Sequence, residues 1–252
     1  MTTLTDSAVS QLAAIMAQAR SAVAFTGAGI SAESGIPVYR GAGGLWTKFD
    51  PYKVAHIDTF RADPSQYWSH SRDHRRTKAQ PNAAHRALVE LERSGRVGAI
   101  ITQNTDGLHR AAGSGRVIEL HGSSHAVVCL DCEQRYPRPM IDGLNAQHCP
   151  PSCPSCGGGF LKPTVVMFGE PLPSAALEDA QRLAVGADVM LIVGTSLQVY
   201  PAAGIPRLAR EHGAQLCIVN AEPTAFDAVA TVVVQGKAGE VLPALADRIG
   251  GL

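Results

Sequence analysis

The apolar positions follow two rhythms in alternation. From Leu4 to Ala19, Val9, Leu12 and Met16 fall at spacings of three and four on one helical face, and Thr5 or Asp6 can cap the start. Ala22-Val23-Ala24-Phe25-Thr26 is a short apolar run ending at glycine, which by length and bounds predicts a buried strand. Similar runs at Gly98 to Thr102, Val117 to Leu120, Val189 to Val193, Leu216 to Val219 and Thr231 to Val234 bring the expected buried strands to six. Between several of them lie helical stretches: Asn82 to Arg93 with Asn82 as cap, Ser174 to Val185, and Ala202 to His212. Strands alternating with helices predict an α/β fold with a doubly wound parallel sheet.

Two stretches break the alternation. Gly41 to about Gln80 is rich in aromatic and charged residues without a strong strand signal, and His121 to about Phe168 is rich in Cys, Pro and Gly. Both read as insertions forming a second, smaller lobe, and a cleft between lobes is where a ligand pocket is expected. No internal repeat and no low-complexity tract is apparent.

Composition narrows the function. A chain of 252 residues, 45% hydrophobic, can bury a sizeable core. Its 22 basic and 22 acidic residues balance, so no global field draws it to nucleic acid or to an anionic membrane. The first residues lack the apolar core of a signal peptide, and no apolar run approaches the ~18 residues that span a bilayer. Six cysteines in a chain with a large core fit a reducing cytoplasm and a metal better than a disulfide scaffold.

Gly27-Ala28-Gly29-Ile30-Ser31-Ala32 follows the first strand directly and matches the glycine-first, glycine-third, small-sixth pattern of a dinucleotide turn. Missing side chains there let backbone amides approach a pyrophosphate at a helix start. A tight turn with no ligand is the plainer alternative. The acidic residue that in a dehydrogenase ends the second strand, ~20 positions on, is not found. Glu33-Ser34-Gly35-Ile36-Pro37-Val38-Tyr39-Arg40-Gly41 stands in its place.

Cys129-x2-Cys132 and Cys153-x2-Cys156, with 20 residues between the pairs, have the spacing of a two-knuckle zinc site. Four thiolates leave no open coordination position, so the metal is expected to be structural. Cys149, with His148 beside it, offers an alternative ligand, and Cys217 sits in an apolar strand as a small buried hydrophobe. Only Arg135 and Arg138 are basic between the knuckles, too thin a patch for DNA.

Polar residues gather at strand ends, where open parallel sheets bind ligands. They are Thr102-Gln103-Asn104-Thr105-Asp106-Gly107, Glu119-Leu120-His121-Gly122-Ser123, Gly194-Thr195-Ser196 and Val219-Asn220-Ala221-Glu222. Each alone could be ordinary turn chemistry. Of the nine histidines, His121 stands just after a strand and is the candidate general base. His85 and His109 are expected to be packed or exposed helix residues.

GAGISAESGIPVYRG from Gly27, TQNTDGLH from Thr102, ELHGS from Glu119, the paired C-x2-C, VVMFGE from Val165, GTSLQVYPAAG from Gly194, VNAEP from Val219 and GKAGE from Gly236 together resemble the sirtuin family of NAD-dependent protein deacylases. The resemblance runs over nearly the whole chain. It implies one catalytic domain with a Rossmann-like lobe at about 1–40, 82–120 and 169–252, and a small lobe from about 41–81 (helical) and 121–168 (zinc). NAD would be a co-substrate. The loop positions implied to bind it are Gly27, Ala28, Gly29, Glu33, Ile36 and Pro37, with Tyr39, Arg40 and Trp46 beyond. Gln103, Asn104, Thr105 and Asp106 would surround nicotinamide and ribose; Gly194, Thr195, Ser196, Asn220, Ala221, Glu222 and Ala238 would hold the adenosine end.

In the family's mechanism the acyl oxygen of acyl-lysine attacks the anomeric carbon as nicotinamide leaves, giving an O-alkylimidate, and His121 as general base activates a ribose hydroxyl. Asn104 would be the second catalytic residue. Products would be lysine, nicotinamide and O-acyl-ADP-ribose. Val166, Met167, Phe168, Gly169 and Glu170 would meet the substrate peptide, the central three as an added strand. The partners implied are acyl-lysine proteins, with one structural zinc per chain and no nucleic acid or membrane. Members that remove acidic acyl groups carry a Tyr-x2-Arg pair; here Ser69 and Arg72 stand at those positions, with Tyr67 two places earlier as the alternative. Deacetylation is therefore expected. Mono-ADP-ribosyl transfer, or deacylation of longer or acidic groups, is the alternative, and an NAD-sensing module without turnover is the non-enzymatic one.

Overall fold

The computed structural model describes residues 2–39, 44–47, 50, 53, 55–73 and 79–251. Its strands are β1 (Ala22–Thr26), β2 (Ala99–Thr102), β3 (Val117–Glu119), β4 (Gly122–Cys129), β5 (Arg135–Pro137), β6 (Leu161–Val165), β7 (Val189–Val193), β8 (Gln215–Asn220) and β9 (Val232–Gln235). The helices are α1 (Thr2–Gln18), α2 (Ile57–Ala62), α3 (Pro64–Asp73), α4 (Ala83–Arg93), α5 (Leu108–Ala112), α6 (Arg138–Gln147), α7 (Ser174–Gly186), α8 (Gly204–Glu211) and α9 (Ala238–Gly250).

The six expected strands form one sheet in the order β3-β2-β1-β7-β8-β9, and every neighbouring pair is parallel. The chain turns back at β1, flanked by β2 on one side and β7 on the other. That junction is the switch point at which a doubly wound sheet opens a crevice beyond its carboxyl ends. Successive side chains of β1 enter opposite layers: Ala22 and Ala24 join the core under α1, α4 and α9, while Val23 and Phe25 join that under α7 and α8. Burial on both faces explains why these strands read as unbroken apolar runs.

Asn82 caps α4 as its sequence position suggests, its Oδ1 accepting from the amides of Ala84 and His85 at 2.9 and 3.4 Å. The helix α9 does not stand out in the apolar pattern because Pro243 and two glycines interrupt it, yet Val241, Leu242, Leu245 and Ile249 are buried against α1 and α4.

The Cys-, Pro- and Gly-rich stretch carries more order than its composition suggests. Antiparallel β5-β4-β6 form a second sheet there. A register shift between Gly122 and Val127 breaks the alternation in β4 and hides the strand. This sheet shares a third core with α2, α3 and α6, centred on fully buried Trp68. The Trp68 indole donates to the Leu161 carbonyl at 2.9 Å, and Asn145 donates to the Trp68 carbonyl at 2.9 Å, so one residue ties α3 to β6 and α6. No described helix is long and apolar enough to cross a membrane.

Candidate active site

A cavity of about 1560 Å³ opens beyond the carboxyl ends of β1, β2, β7 and β8 and reaches the third core. From the glycine loop it is lined by Gly27, Ala28, Gly29, Glu33, Ile36 and Pro37, with Tyr39 beyond. Gln103, Asn104, Thr105, Asp106 and His121 line it from the ends of β2 and β3. Gly194, Thr195 and Ser196 follow β7, Asn220, Ala221 and Glu222 follow β8, and Ala238 opens α9. Val166, Met167, Phe168, Gly169 and Glu170 form a further wall. The structure thus gathers residues from Gly27 to Ala238 into one space. Arg40 lies outside the described residues, and only the backbone of Trp46, in a 3-10 turn, is described.

The glycine loop differs from the dehydrogenase-like expectation in what its glycines do. After Gly27 the chain enters a 3-10 turn, Ala28–Ser34, closed by Gly35 at φ 80°. The Gly27 and Gly29 amides are spent on the Val193 and Gly194 carbonyls at 3.1 and 2.7 Å. A Cβ on Gly29 would meet Gly194 Cα at 2.7 Å, and one on Gly194 would meet the Ile30 amide at 2.3 Å. The glycines therefore let the loop press against the end of β7. The amide that a helical turn leaves unpaired is offered by Ala28 at its first position. Glu33, further along, accepts from the Gly239 amide at 2.7 Å, putting a carboxylate at the start of α9.

Behind the loop lies a buried polar chain that sequence reading did not assemble. Ser31 Oγ donates to Asp106 Oδ2 at 2.8 Å and accepts from Asn104 Nδ2 at 3.2 Å. Asn104 Nδ2 also donates to the Gly27 carbonyl at 3.1 Å, so the end of β2 is laced to the loop. The Asn82 amide donates to His85 Nδ1, leaving His85 Nε2 to face Ser31 Oγ at 3.5 Å. His109 stacks on His85 with ring centroids 4.9 Å apart, and its Nε2 lies 2.9 Å from Thr26 Oγ1, which donates to Thr102 Oγ1. Burial pushes His85 down to about 4 and His109 to about 3, so both rings are neutral at physiological pH. Of the two expected fates, packed is the one found, but the packing is polar. The legible signal is Asn82 three places before His85, a capping box with His in the usual place of Glu.

His121 Nδ1 lies 2.9 Å from the Gln103 carbonyl, an acceptor, so Nδ1 carries the proton and Nε2 keeps its lone pair. Burial lowers its pKa from the ordinary 6.5, against the opposing pull of that carbonyl. A neutral imidazole of fixed tautomer is what a base requires. Gln103 also donates to Thr195 Oγ1 at 2.9 Å, joining the ends of β2 and β7.

The wall at 166–170 is held from both sides. Val166 donates to the His121 carbonyl at 2.9 Å, Phe168 exchanges hydrogen bonds with Ala55 and Ile57 at 2.8 and 3.0 Å, and Met167 donates to Glu170 Oε2 at 2.8 Å. Buried Lys162 pairs with the same carboxylate at 2.8 Å. The amides of Val166, Met167 and Phe168 are thus spent within the protein, as is that of Glu170, which donates to the Met167 carbonyl at 3.1 Å.

The sulfur atoms of Cys129, Cys132, Cys153 and Cys156 all lie within 4.8 Å of one another, with Cys129 to Cys156 and Cys132 to Cys153 each at 3.7 Å. Four converging thiols and no disulfide fit a tetrahedral zinc ion. Cys149 points elsewhere, its thiol 3.9 Å from the Ser65 carbonyl, and exposed His148 ends α6. Burial pushes the Cys217 thiol up to about 12, as befits a small hydrophobe in β8.

With this geometry in view, the likeness to known proteins is specific. The Sir2 family model matches residues 27–201. The NAD-dependent protein deacylase 2 of Archaeoglobus fulgidus is 48% identical over 243 residues, 96% of each chain. The NAD-dependent protein deacetylase of Caldivirga maquilingensis is 46% identical over 247 residues, 95% of this chain and 93% of its own. Among solved structures, a chain from work on the mechanism and regulation of Sir2 enzymes superposes with a TM-score of 0.93 at 47% identity, covering 98% of this chain and 99% of that one. Sir2Af2 bound to a myristoylated histone peptide gives 0.85 at 42%, covering 98% of both. The chain belongs to the Sir2 family.

Proposed function

We propose that this chain is an NAD-dependent protein lysine deacylase, which takes acyl-lysine, NAD and water to lysine, nicotinamide and O-acyl-ADP-ribose. The observation that carries the reading is His121, neutral and held in one tautomer by Gln103, in the same cavity as Asn104, Asp106 and the glycine loop. When bound, NAD supplies an anomeric carbon that gives up nicotinamide and takes the acyl oxygen.

The chain's own residues orient and exclude. Ser31 and Asn104 hold the loop from Gly27 against the end of β2, so the cavity wall that meets the dinucleotide is fixed before it arrives. Asp106, held by Ser31 and by the Leu108 amide at 2.9 Å, keeps its carboxylate oriented for a ribose or a nicotinamide amide. His121 Nε2 takes the proton from a ribose hydroxyl. The apolar side chains of Ile36, Val166, Met167 and Phe168 keep water from the reacting centre. The four cysteines would hold one zinc ion as a staple of the small sheet, distant in role from the chemistry.

Acyl-lysine proteins are the partners this reading requires, and Sir2Af2 was solved with a myristoylated histone peptide. Six cysteines without a disulfide suit a cytoplasmic location. Incubation with an acetyl-lysine peptide should release nicotinamide only when NAD and peptide are both present. Deacetylation at the same rate without NAD would overturn the reading.

A further inference from the structure

A buried cation stands behind the cavity wall, and the deacylase reading has so far no use for it. Lys162, in β6, is 5% exposed and is not among the described residues that line the cavity. Its ammonium has three N–H groups, and three oxygens meet them: the Pro163 carbonyl at 3.2 Å, the Val165 carbonyl at 2.8 Å and Glu170 Oε2 at 2.8 Å. The same Glu170 oxygen accepts from the Met167 amide at 2.8 Å, and the Glu170 amide donates to the Met167 carbonyl at 3.1 Å. Met167 to Glu170 is thus a four-residue turn, in which Gly169 at φ 84° supplies the left-handed conformation at the third position. A Cβ on Gly169 would meet the His56 ring at 2.9 Å, so the turn packs closely against the start of α2.

All three acceptors belong to the segment 163–170, and Pro163, Val165 and Glu170 themselves line the cavity. A charge outside the cavity therefore sets the path of its wall. The wall leads on to the candidate base: the Val166 amide, next in the chain to a carbonyl that Lys162 holds, donates to the His121 carbonyl at 2.9 Å, and Thr164 Oγ1 donates to the Ser123 carbonyl at 2.8 Å. Two hydrogen bonds thus link the Lys162 ammonium to the main chain of His121. Stability alone gives little reason for such a group. Taking an ammonium out of water is costly, and an apolar side chain of similar length would fill this part of β6 without that cost. What the ammonium adds is direction, since three N–H groups at fixed angles suit one arrangement of two carbonyls and a carboxylate, whereas apolar packing tolerates several.

We propose that Lys162 is a positioning residue for the acyl-lysine substrate: by holding Val165 and Glu170 it fixes the wall of Val166, Met167 and Phe168 in the shape that seats the substrate peptide beside His121. The proposal rests on the deacylase reading and adds to it a residue that touches neither substrate nor cofactor. The loop from Gly27 to Pro37 stands at the ends of β1 and β7, and no oxygen that Lys162 holds belongs to it, so loss of the ammonium falls on the peptide and spares NAD. No motif announces the residue, because a lysine within a strand reads as an exposed side chain until the chain closes over it.

The test uses the full-length, zinc-loaded protein with NAD and an acetyl-lysine peptide. In Lys162→Met, which keeps the length of the side chain and removes its charge, kcat/KM for the peptide should fall roughly tenfold, the worth of one charged hydrogen bond, with most of the loss in KM. KM for NAD should be unchanged. Lys162→Arg keeps a cation beside Glu170 and should recover part of the loss. Glu170→Gln leaves an acceptor for the Met167 amide and removes the charge that Lys162 meets; it should shift peptide KM in the same direction, and it carries the test should Lys162→Met not fold. Peptide KM unchanged in the variants, or KM for peptide and NAD rising together as in a general loosening, overturns the positioning role, while wild-type turnover leaves the deacylase reading standing. Lack of NAD-dependent turnover by the wild type overturns the deacylase reading, and the positioning role with it.

Discussion

Ser31 Oγ donates to Asp106 Oδ2 at 2.8 Å across 75 residues of sequence, and this bond joins the glycine loop to the end of β2. The same oxygen accepts from Asn104, with buried His85 beyond it. The loop that lines the cavity is therefore tied to the end of β2 through one buried hydroxyl.

Ser31→Ala should leave the Asp106 carboxylate without one charged hydrogen bond, a loss of about 1.5–3 kcal/mol in a buried setting. Steady-state kinetics should show kcat/KM for NAD falling roughly ten- to a hundredfold. Unchanged kinetics would mean that Leu108 alone suffices to orient Asp106.

His121→Ala should cost roughly a hundredfold or more in deacylation, the usual worth of a positioned base. Its pKa is lowered by burial and the neutral ring is the active form, so activity should hold as pH falls through 6.5 and decline only below it. A pH profile of kcat/KM whose acid limb sits above 6.5 would contradict a buried, Gln103-held base.

Stability should carry the signature of His85 and His109. Both have folded pKa values below 6.5, near 4 and 3, so the unfolded chain binds more protons in this window. Their contribution is complete above pH 6.5 and is lost as pH falls toward 4. Denaturant unfolding between pH 7 and 5, above the range where most carboxylates titrate, should show falling stability; a flat profile would contradict neutral, buried rings.

Much of the fold and of the cavity is legible in the amino-acid sequence, and the gaps have physical causes. The buried strands of the parallel sheet can be read because both their faces are covered, which leaves unbroken apolar runs such as Val189 to Val193. Ends move by one or two residues, as at Gln215–Asn220. The polar cavity residues Gln103 to Asp106, His121, Gly194 to Ser196 and Asn220 to Glu222 can be read because they follow strands, whereas Ile36, Val166 to Glu170 and Ala238 are reached only through the family resemblance. The second sheet is hidden by the irregularity of β4, and α9 by Pro243. The His85–His109 stack and the Tyr67–Arg138 contact join residues 24 and 71 positions apart, and such pairings exist only once the chain is folded.

Metal removal should act through structure. Strong chelation, or Cys129→Ser, should unfold the small sheet and abolish activity together, because a four-thiolate site has no open position for substrate. Metal analysis of active protein that found no zinc would contradict the staple.

The most direct test of the central claim is the fate of the acyl group, followed by mass spectrometry of the products from an acetyl-lysine peptide and NAD. O-acetyl-ADP-ribose equimolar with nicotinamide is the result that the proposed role of His121 as base predicts, its Nδ1 being held by the Gln103 carbonyl and its Nε2 left with the lone pair. Free acetate with NAD unconsumed, or ADP-ribose left attached to protein, would contradict it.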